Sequence, residues 1–196
     1  AGAGADVDVL LGTNAEEGRL SLVPFDQLDK ITEALLGTAL TLYGLPVRRA
    51  LEVYRAGNPG ASPGDLLALS QRDWWYRAPA YQMAEARSEA GATTFLYEFA
   101  WRSPAFAGLL GACHLLEVPF VFDVLDSARF RPLTGPEPPT QLAKVMHDSW
   151  IAFARGGDPG WPRYDLARRP VMRFDTLSRV VFDPAPTERG LWDGIR

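Results

Sequence analysis

The sequence contains a single cysteine, Cys113, among its 196 residues. One thiol excludes an internal disulfide and leaves no second cysteine for a structural zinc site. The sequence also lacks any apolar run near the roughly 20 residues that would span a membrane. We therefore expect a fold that depends on packing alone, with no metal, no cofactor and no membrane span.

Positive charge is not concentrated anywhere in the chain. Lys and Arg number 20 against 24 Asp and Glu, which gives a formal net charge of −4. No segment clusters basic residues with aromatic residues, as a nucleic-acid-binding face requires. The content of 47% hydrophobic and 22% charged residues is typical of a globular protein. Nucleic acid is not expected as a partner, and the length allows one or at most two domains.

Two predicted strands each lead into a loop that carries ionisable side chains. Residues 6–12 form a short, mostly apolar run bounded by glycines, which is typical of a buried parallel strand. Residues 93–101, TTFLYEFAW, form the clearest strand in the chain. Glu16 and Glu17 follow the first strand, and His114 ends the loop after the second. Open α/β sheets place active-site groups at the carboxyl ends of their strands, so these side chains can meet.

Helical periodicity covers much of the remaining chain. Residues 25–55 are predicted to be helical with a break at residues 44–46, and residues 65–90 with an interruption near residues 77–79. The first of these helical regions has an apolar face made by Leu28, Ile31, Leu35 and Leu36.

A further helix is predicted over residues 140–155. His147 falls off its apolar stripe and is expected to be partly exposed. Residues 170–174 and 179–183 alternate in polarity across a turn and predict a terminal hairpin. The apolar stripe of the helix consists of Leu142, Val145, Met146, Trp150 and Phe153.

Residues 60–64, GASPG, match the G-x-S-x-G pattern of a nucleophile elbow. However, no strand precedes them, and Pro63 lacks the backbone N–H that the residue after the nucleophile must donate. The same residues suit a helix start, with Ser62 as the N-cap, Pro63 in the first position and Asp65 completing an approximate capping box. We interpret Ser62 as a helix cap.

Residues 109–123, LLGACHLLEVPFVFD, resemble the histidine loop of the type-B carboxylesterases, which include para-nitrobenzyl esterases and cholinesterases. Residues 7–18, VDVLLGTNAEEG, are similar to the acid segment of that family, and the resemblance runs over nearly the whole chain. It implies an α/β class, with this chain as the C-terminal portion of an α/β-hydrolase fold. Residues 1–196 would then hold the last strands of a mainly parallel sheet, packing helices and a terminal hairpin.

The resemblance implies that Glu17 is the acid and His114 the general base of a Ser-Glu-His triad. The triad order along the chain is serine, acid, histidine, so the serine is expected before residue 1. Glu16 competes for the acid role, but Glu17 stands directly before Gly18, where the family has its acid. Glu117 is a further candidate, which we interpret as a buried structural carboxylate. A thiol nucleophile at Cys113 is disfavoured because adjacent residues tend to point apart.

The resemblance also implies a serine-type hydrolase acting on a small-molecule carboxylic ester. Without a serine elbow or oxyanion segment, the chain alone is expected to be inactive and to need the missing N-terminal part of the protein. Self-association would cover its incomplete sheet edge. A non-catalytic adhesion-type binding protein of the same fold is the alternative.

The aromatic cluster at residues 74–76 either lines a substrate gorge or packs in the core.

Overall fold

The computed structural model describes residues 4–195 and organises them around a mixed sheet. The first three strands are parallel to one another, and the fourth is antiparallel to the third. The mainly parallel sheet and the terminal hairpin agree with the prediction. Among the described residues, the sheet has four strands in the order β1 (Val9–Asn14), β2 (Thr94–Phe99), β3 (Pro170–Phe174) and β4 (Arg179–Phe182).

Helices connect these strands. The α-helices within residues 4–195 are α1 (Arg19–Leu22), α2 (Glu33–Leu42), α3 (Val47–Gly57), α4 (Pro63–Arg72), α5 (Ala78–Glu89), α6 (Val118–Val121), α7 (Arg131–Thr134), α8 (Thr140–Gly156) and α9 (Pro186–Gly190). Short 3₁₀ segments lie at Val23–Phe25, Leu28–Lys30 and Phe106–Gly108, and a π-helical turn spans Asp73–Arg77.

Helices cover both faces of the sheet. On one face, Tyr97 of β2 packs edge-on against Trp150 of α8, with ring centroids 4.9 Å apart. On the other face, Leu96 of β2 joins a smaller buried cluster with Tyr81 of α5. Successive residues of a strand point to opposite sides, so burial of both faces explains why β2 is mostly apolar. This layering is that of the α/β class.

The bounds of the first strand differ from the prediction. The apolar run suggested residues 6–12, but β1 begins at Val9 and continues to Asn14. The partner strand sets these limits, because Val9 pairs with Thr94 and Asn14 pairs with Phe99, the first and last residues of β2.

The region before residue 57 is less regular than predicted. Two 3₁₀ segments precede α2, and Leu35 of the predicted apolar face is 53% exposed because α2 buries Leu36 and Leu40 instead. On α8, Val145 is likewise exposed, whereas Leu142 and Met146 are buried. His147 is partly exposed as predicted.

The predicted interruption near residues 77–79 is a widened turn and not a break. Pro79 has no backbone N–H, so a regular helical ladder cannot continue through it unchanged. The chain instead forms the π-turn Asp73–Arg77, in which the Ala78 N–H donates to the Asp73 carbonyl. Single π-turns of this kind are frequent near functional sites.

Ser62 is the N-cap of α4. Its hydroxyl oxygen accepts a hydrogen bond from the Asp65 N–H at 3.1 Å, and the Asp65 carboxylate accepts one from the Ser62 N–H at 3.0 Å. Pro63 occupies the first helical turn, where its missing N–H is not needed. The predicted capping box is therefore confirmed, and residues 60–64 follow helix α3 and not a strand.

We predict that Ser62→Ala lowers the free energy of unfolding by about 1 kcal/mol, because α4 loses its N-cap acceptor. Urea unfolding followed by far-UV circular dichroism measures this change. Ser88→Ala, inside α5, is the matched control and should have a smaller effect. Equal stability of Ser62→Ala and the wild type would contradict the capping role.

Candidate active site

Glu17 and His114 are in direct hydrogen-bond contact. Glu17 Oε2 lies 2.7 Å from His114 Nδ1, across a separation of 97 residues in sequence. Glu17 belongs to the loop after β1 (the acid loop, residues 15–18), and His114 to the loop after β2 (the histidine loop, residues 100–117). Because β1 and β2 are adjacent and parallel, both loops leave the same sheet edge. An ionised carboxylate can only accept, so Nδ1 carries the hydrogen and Nε2 is left as a proton acceptor.

Asn14 ends β1 and joins the two loops. Its backbone N–H donates to Glu17 Oε1 at 2.7 Å, so both oxygens of that carboxylate are hydrogen-bonded. Its side-chain amide donates to the Cys113 carbonyl at 2.7 Å and to Glu117 Oε2 at 2.5 Å. A carbonyl can only accept, so the contact with Cys113 fixes the orientation of the amide. Asn14 makes these contacts from a position that is 1% exposed.

Glu16 makes a different set of contacts. Its carboxylate accepts a hydrogen bond from the Ala112 N–H at 2.9 Å and another from the Arg102 guanidinium at 2.8 Å. The Glu16 N–H also donates to the Ala112 carbonyl at 2.9 Å. Glu16 thus holds the acid loop to the histidine loop, while the contact with His114 belongs to Glu17.

Two glycines allow the loops to pack this closely. A Cβ at Gly111, which has a φ of +56°, would collide with the carboxylate of Glu16. A Cβ at Gly18 would collide with the backbone of Ala68 in α4. At Gly18 the obstacle is backbone, so only a residue without a side chain fits directly after Glu17. At Gly111 a side chain would be strained by the positive φ and would displace the Glu16 carboxylate.

The His114 ring is partly exposed and has one face covered by an aromatic ring. Its side chain is 37% exposed, and Tyr76 stacks on it with centroids 4.9 Å apart and an interplanar angle of 27°. The hydrogen bond to Glu17 raises the pKa of His114 above its ordinary value of about 6.5, while partial burial acts in the opposite direction. Leu115 follows with a φ of +67°, a strained conformation of the kind that clusters at functional sites.

Glu117 and Cys113 flank the histidine without the contacts of a catalytic group. Glu117 is mostly buried against the Asn14 amide, and burial raises the pKa of its carboxyl. This environment agrees with the interpretation of Glu117 as a structural carboxylate. Cys113 is fully buried, and burial raises the pKa of its thiol to about 12. The thiolate, which is the nucleophilic form, is therefore strongly disfavoured at neutral pH.

The residues of the aromatic cluster at 74–76 have different surroundings, because Trp74 packs on Tyr43 and Tyr76 contacts His114. Trp74 stacks on Tyr43, with centroids 5.2 Å apart and an interplanar angle of 17°. Trp75 is 43% exposed and meets Tyr76 edge-on at 6.3 Å. Trp74 therefore has the packing role, whereas Tyr76 contacts His114.

A buried ionic cluster anchors the π-turn that carries these rings. The Nε atoms of Arg72 and Arg77 lie 2.7 and 2.9 Å from Asp73 Oδ1, and their Nη2 atoms lie 2.9 and 3.2 Å from Glu188 Oε2. Burial alone would raise the pKa of Asp73, but the two guanidinium groups hold it below its usual range. We call Arg72, Asp73, Arg77 and Glu188 the buried clamp. Arg72 also donates to the Ala15 carbonyl at 3.2 Å, which links the clamp to the acid loop.

Sequence reasoning assigned no role to Asn14 or to the clamp, and it named Tyr76 only as part of the aromatic cluster, without a contact to His114. Asn14 carried one usable signal, because a polar residue at the carboxyl end of a buried strand stands where active-site groups are placed. The contact of Tyr76 with His114 and the ion pairs of Arg72 and Arg77 with Glu188 gave no such signal, since they join segments far apart in sequence. Within residues 4–195, no helix is long and apolar enough to cross a membrane, and no group of three or more His, Cys, Asp or Glu side chains could hold a metal ion.

Comparison with known proteins identifies the family. The sequence model of the family named "Carboxylesterase family" matches residues 1–181 of this chain. The chain is 28% identical over 200 residues to the para-nitrobenzyl esterase of Bacillus subtilis (strain 168), a match that covers 96% of this chain and 38% of that protein. It is 34% identical over 117 residues to the inactive carboxylesterase-like protein VdtD of Byssochlamys spectabilis, which covers 54% of this chain and 19% of that protein.

The fold is similar to that of solved carboxylesterases. A crystal structure of a Geobacillus stearothermophilus carboxylesterase matches with a TM-score of 0.84 and 28% identity, covering 97% of this chain and 41% of that one. The chain belongs to the carboxylesterase family and forms part of an α/β-hydrolase fold. It spans less than half the length of the Bacillus and Geobacillus esterases.

We predict that Glu17→Gln lowers the pKa of His114, because the change removes the negative charge that favours the imidazolium. The histidine Cε1 resonances, followed by NMR over a pH series, measure this value. The chain has two histidines, so His147 serves as the internal reference. Glu16→Gln is the matched control and should shift the pKa of His114 by less.

The same shift has a consequence for stability. A pKa raised in the folded state stabilises the protein below the pKa of the unfolded histidine, and this contribution is lost as the pH rises through the folded-state pKa. Glu17→Gln should therefore remove more stability at pH 5 than at pH 9. An unchanged pKa of His114 in Glu17→Gln would contradict the assigned contact.

Proposed function

We propose that this chain supplies the acid, Glu17, and the general base, His114, of a serine esterase that hydrolyses carboxylic esters of small molecules. The observation that carries the proposal is the 2.7 Å contact between Glu17 Oε2 and His114 Nδ1 at the carboxyl edge of the sheet. Membership of the carboxylesterase family supports ester hydrolysis as the class of reaction.

His114 would act through its second ring nitrogen. Nε2 takes the proton of a serine hydroxyl as the serine oxygen attacks the ester carbonyl, and returns it to the departing alcohol. The resulting acyl-serine is then hydrolysed by water, with Nε2 again taking a proton and giving it to the serine oxygen. Glu17 keeps the hydrogen on Nδ1 and stabilises the imidazolium without taking the proton itself.

The nucleophile in this proposal lies outside residues 1–196, and the chain is the C-terminal part of a single α/β-hydrolase domain. Two observations support this arrangement. The chain spans 38% of the length of the Bacillus esterase. In addition, β1 is the outermost strand of the described sheet, so one of its sides has no partner strand there, and its residues Leu10 and Leu11 are only partly buried. A strand from the rest of the protein would pair with this edge; self-association is the alternative cover for an isolated chain.

A non-catalytic binding protein of the same fold is the alternative function, and a similar protein is described as inactive. The geometry favours catalysis over it. Burying Glu17 to 6% exposure requires hydrogen bonds to both of its oxygens, and one of these comes from His114. A binding surface has no use for a buried carboxylate that orients a partly exposed imidazole.

We predict that the chain hydrolyses a p-nitrophenyl ester only when co-expressed with the polypeptide encoded immediately upstream. In that complex, His114→Ala should lower kcat by on the order of 10⁶-fold and Glu17→Gln by on the order of 10⁴-fold, since each removes one member of a triad. Release of p-nitrophenolate, followed spectrophotometrically, measures the rate.

Ser62→Ala is the control in this assay and should retain the wild-type kcat, because Ser62 caps a helix. Two outcomes would contradict the proposal. One is activity of the isolated chain that disappears in His114→Ala. The other is a complex that assembles from both polypeptides but has no activity.

A further inference from the structure

The contact with Glu17 restrains the His114 ring at one nitrogen only. Small coupled changes of the two side-chain torsions can still tilt the ring and move Nε2 away from a reacting oxygen. The His114 side chain is 37% exposed, so close packing does not enclose the ring on all sides. Proton transfer requires the base to stay within hydrogen-bond reach of the proton. A group packed against the ring face would therefore hold the plane of the imidazole.

Tyr76 is placed to define that plane. Its ring is stacked on the imidazole at 4.9 Å with an interplanar angle of 27°. A flat ring against one face blocks rotation of the imidazole out of its plane, whereas a flexible aliphatic side chain would yield to it. Burial raises the pKa of the Tyr76 hydroxyl, and the Glu17 carboxylate adds to this effect. Tyr76 is thus a neutral ring beside the proposed acid and base.

The π-turn holds Tyr76 rigidly in this position. Arg72 precedes the turn, and Asp73 and Arg77 are its first and last residues. All three are at most 6% exposed and joined by ion pairs, with Glu188 of α9 as the second carboxylate. Breaking such a buried pair is strongly destabilising, so the turn has little freedom to move.

The same clamp holds the acid loop. Arg72 Nη1 donates to the Ala15 carbonyl at 3.2 Å, and the Ala15 N–H donates to the Phe99 carbonyl at the end of β2. The turn that carries Tyr76 and the loop that carries Glu17 are therefore fixed to one buried group. This arrangement sets the distance between the stacking ring and the carboxylate before any substrate binds.

We propose that Tyr76 is a positioning residue that holds the His114 imidazole in the plane in which Nδ1 faces Glu17 and Nε2 faces the substrate. The kinetic consequence rests on the proposed esterase function, whereas the effect on the ring itself does not. The aromatic face and not the hydroxyl carries this role, so Tyr76→Phe should behave as the wild type and Tyr76→Leu should not.

The first test is NMR of the histidine ring in the chain. In Tyr76→Leu, the pKa of His114 should fall by about half a unit, because the imidazolium loses a cation–π contact of about 0.5–1 kcal/mol while an apolar side chain still covers it. The ¹⁵N shifts should also report a smaller share of the Nδ1–H tautomer. Tyr76→Phe should change neither quantity.

Tyr43→Leu is the matched control. It removes a stack of similar geometry from Trp74, on the same π-turn, without touching His114. A shift of His114 in Tyr43→Leu as large as that in Tyr76→Leu would overturn the proposal, because the effect would then be general loosening of the turn. Circular dichroism checks that each variant is folded. If Tyr76→Leu does not fold, Tyr76→Met provides a flexible apolar replacement that adapts to irregular space.

The second test uses the chain co-expressed with the upstream polypeptide. Tyr76→Leu should lower kcat for a p-nitrophenyl ester by about tenfold to 10²-fold with little change in KM, since misorientation of a catalytic group affects the chemical step. Tyr76→Phe should retain the wild-type kcat. A wild-type kcat in Tyr76→Leu would overturn the positioning role. Failure of the wild type to hydrolyse the ester would instead count against the proposed function, and the NMR result would still decide the role of Tyr76.

Discussion

The site depends on one buried carboxylate, Glu17, whose two oxygens are bonded to different parts of the chain. One oxygen accepts from the Asn14 backbone at the end of β1, and the other faces His114 in the histidine loop. A carboxylate buried to this extent is tolerated only when both oxygens have partners. The acid loop and the histidine loop must therefore stay together for either to be stable. The same bonds leave one nitrogen of His114 available to accept a proton.

The sheet makes this contact possible before any side chain acts. Asn14 and Phe99 are paired at the ends of parallel strands, so the two loops start side by side. Gly18 then allows close packing that a side chain would prevent, and Gly111 leaves room for the Glu16 carboxylate. The buried clamp joins the acid loop, the π-turn and α9 through ion pairs and one hydrogen bond. The parallel strands bring the two loops close together, and a few polar contacts then fix the positions of Glu17 and His114.

Most of the secondary structure could be predicted from the sequence, because it depends on local patterns. The capping box at Ser62 and the strand that became β2 are clear cases. The sequence pattern alone could not decide between Glu16 and Glu17, since adjacent acids in one loop differ only in what they contact across the fold. The stacking of Tyr76 on His114 could not be predicted from the sequence either. It depends on a π-turn and on ion pairs to Glu188, which no local pattern encodes.

Covalent labelling of the full-length protein with a fluorophosphonate tests the central claim most directly. A serine activated by His114 and Glu17 attacks the phosphorus and displaces fluoride, so the labelled peptide identifies the nucleophile. We expect one labelled serine that lies outside residues 1–196, with labelling strongly reduced in His114→Ala. A label on Ser62, or on another serine within these residues, would contradict the account.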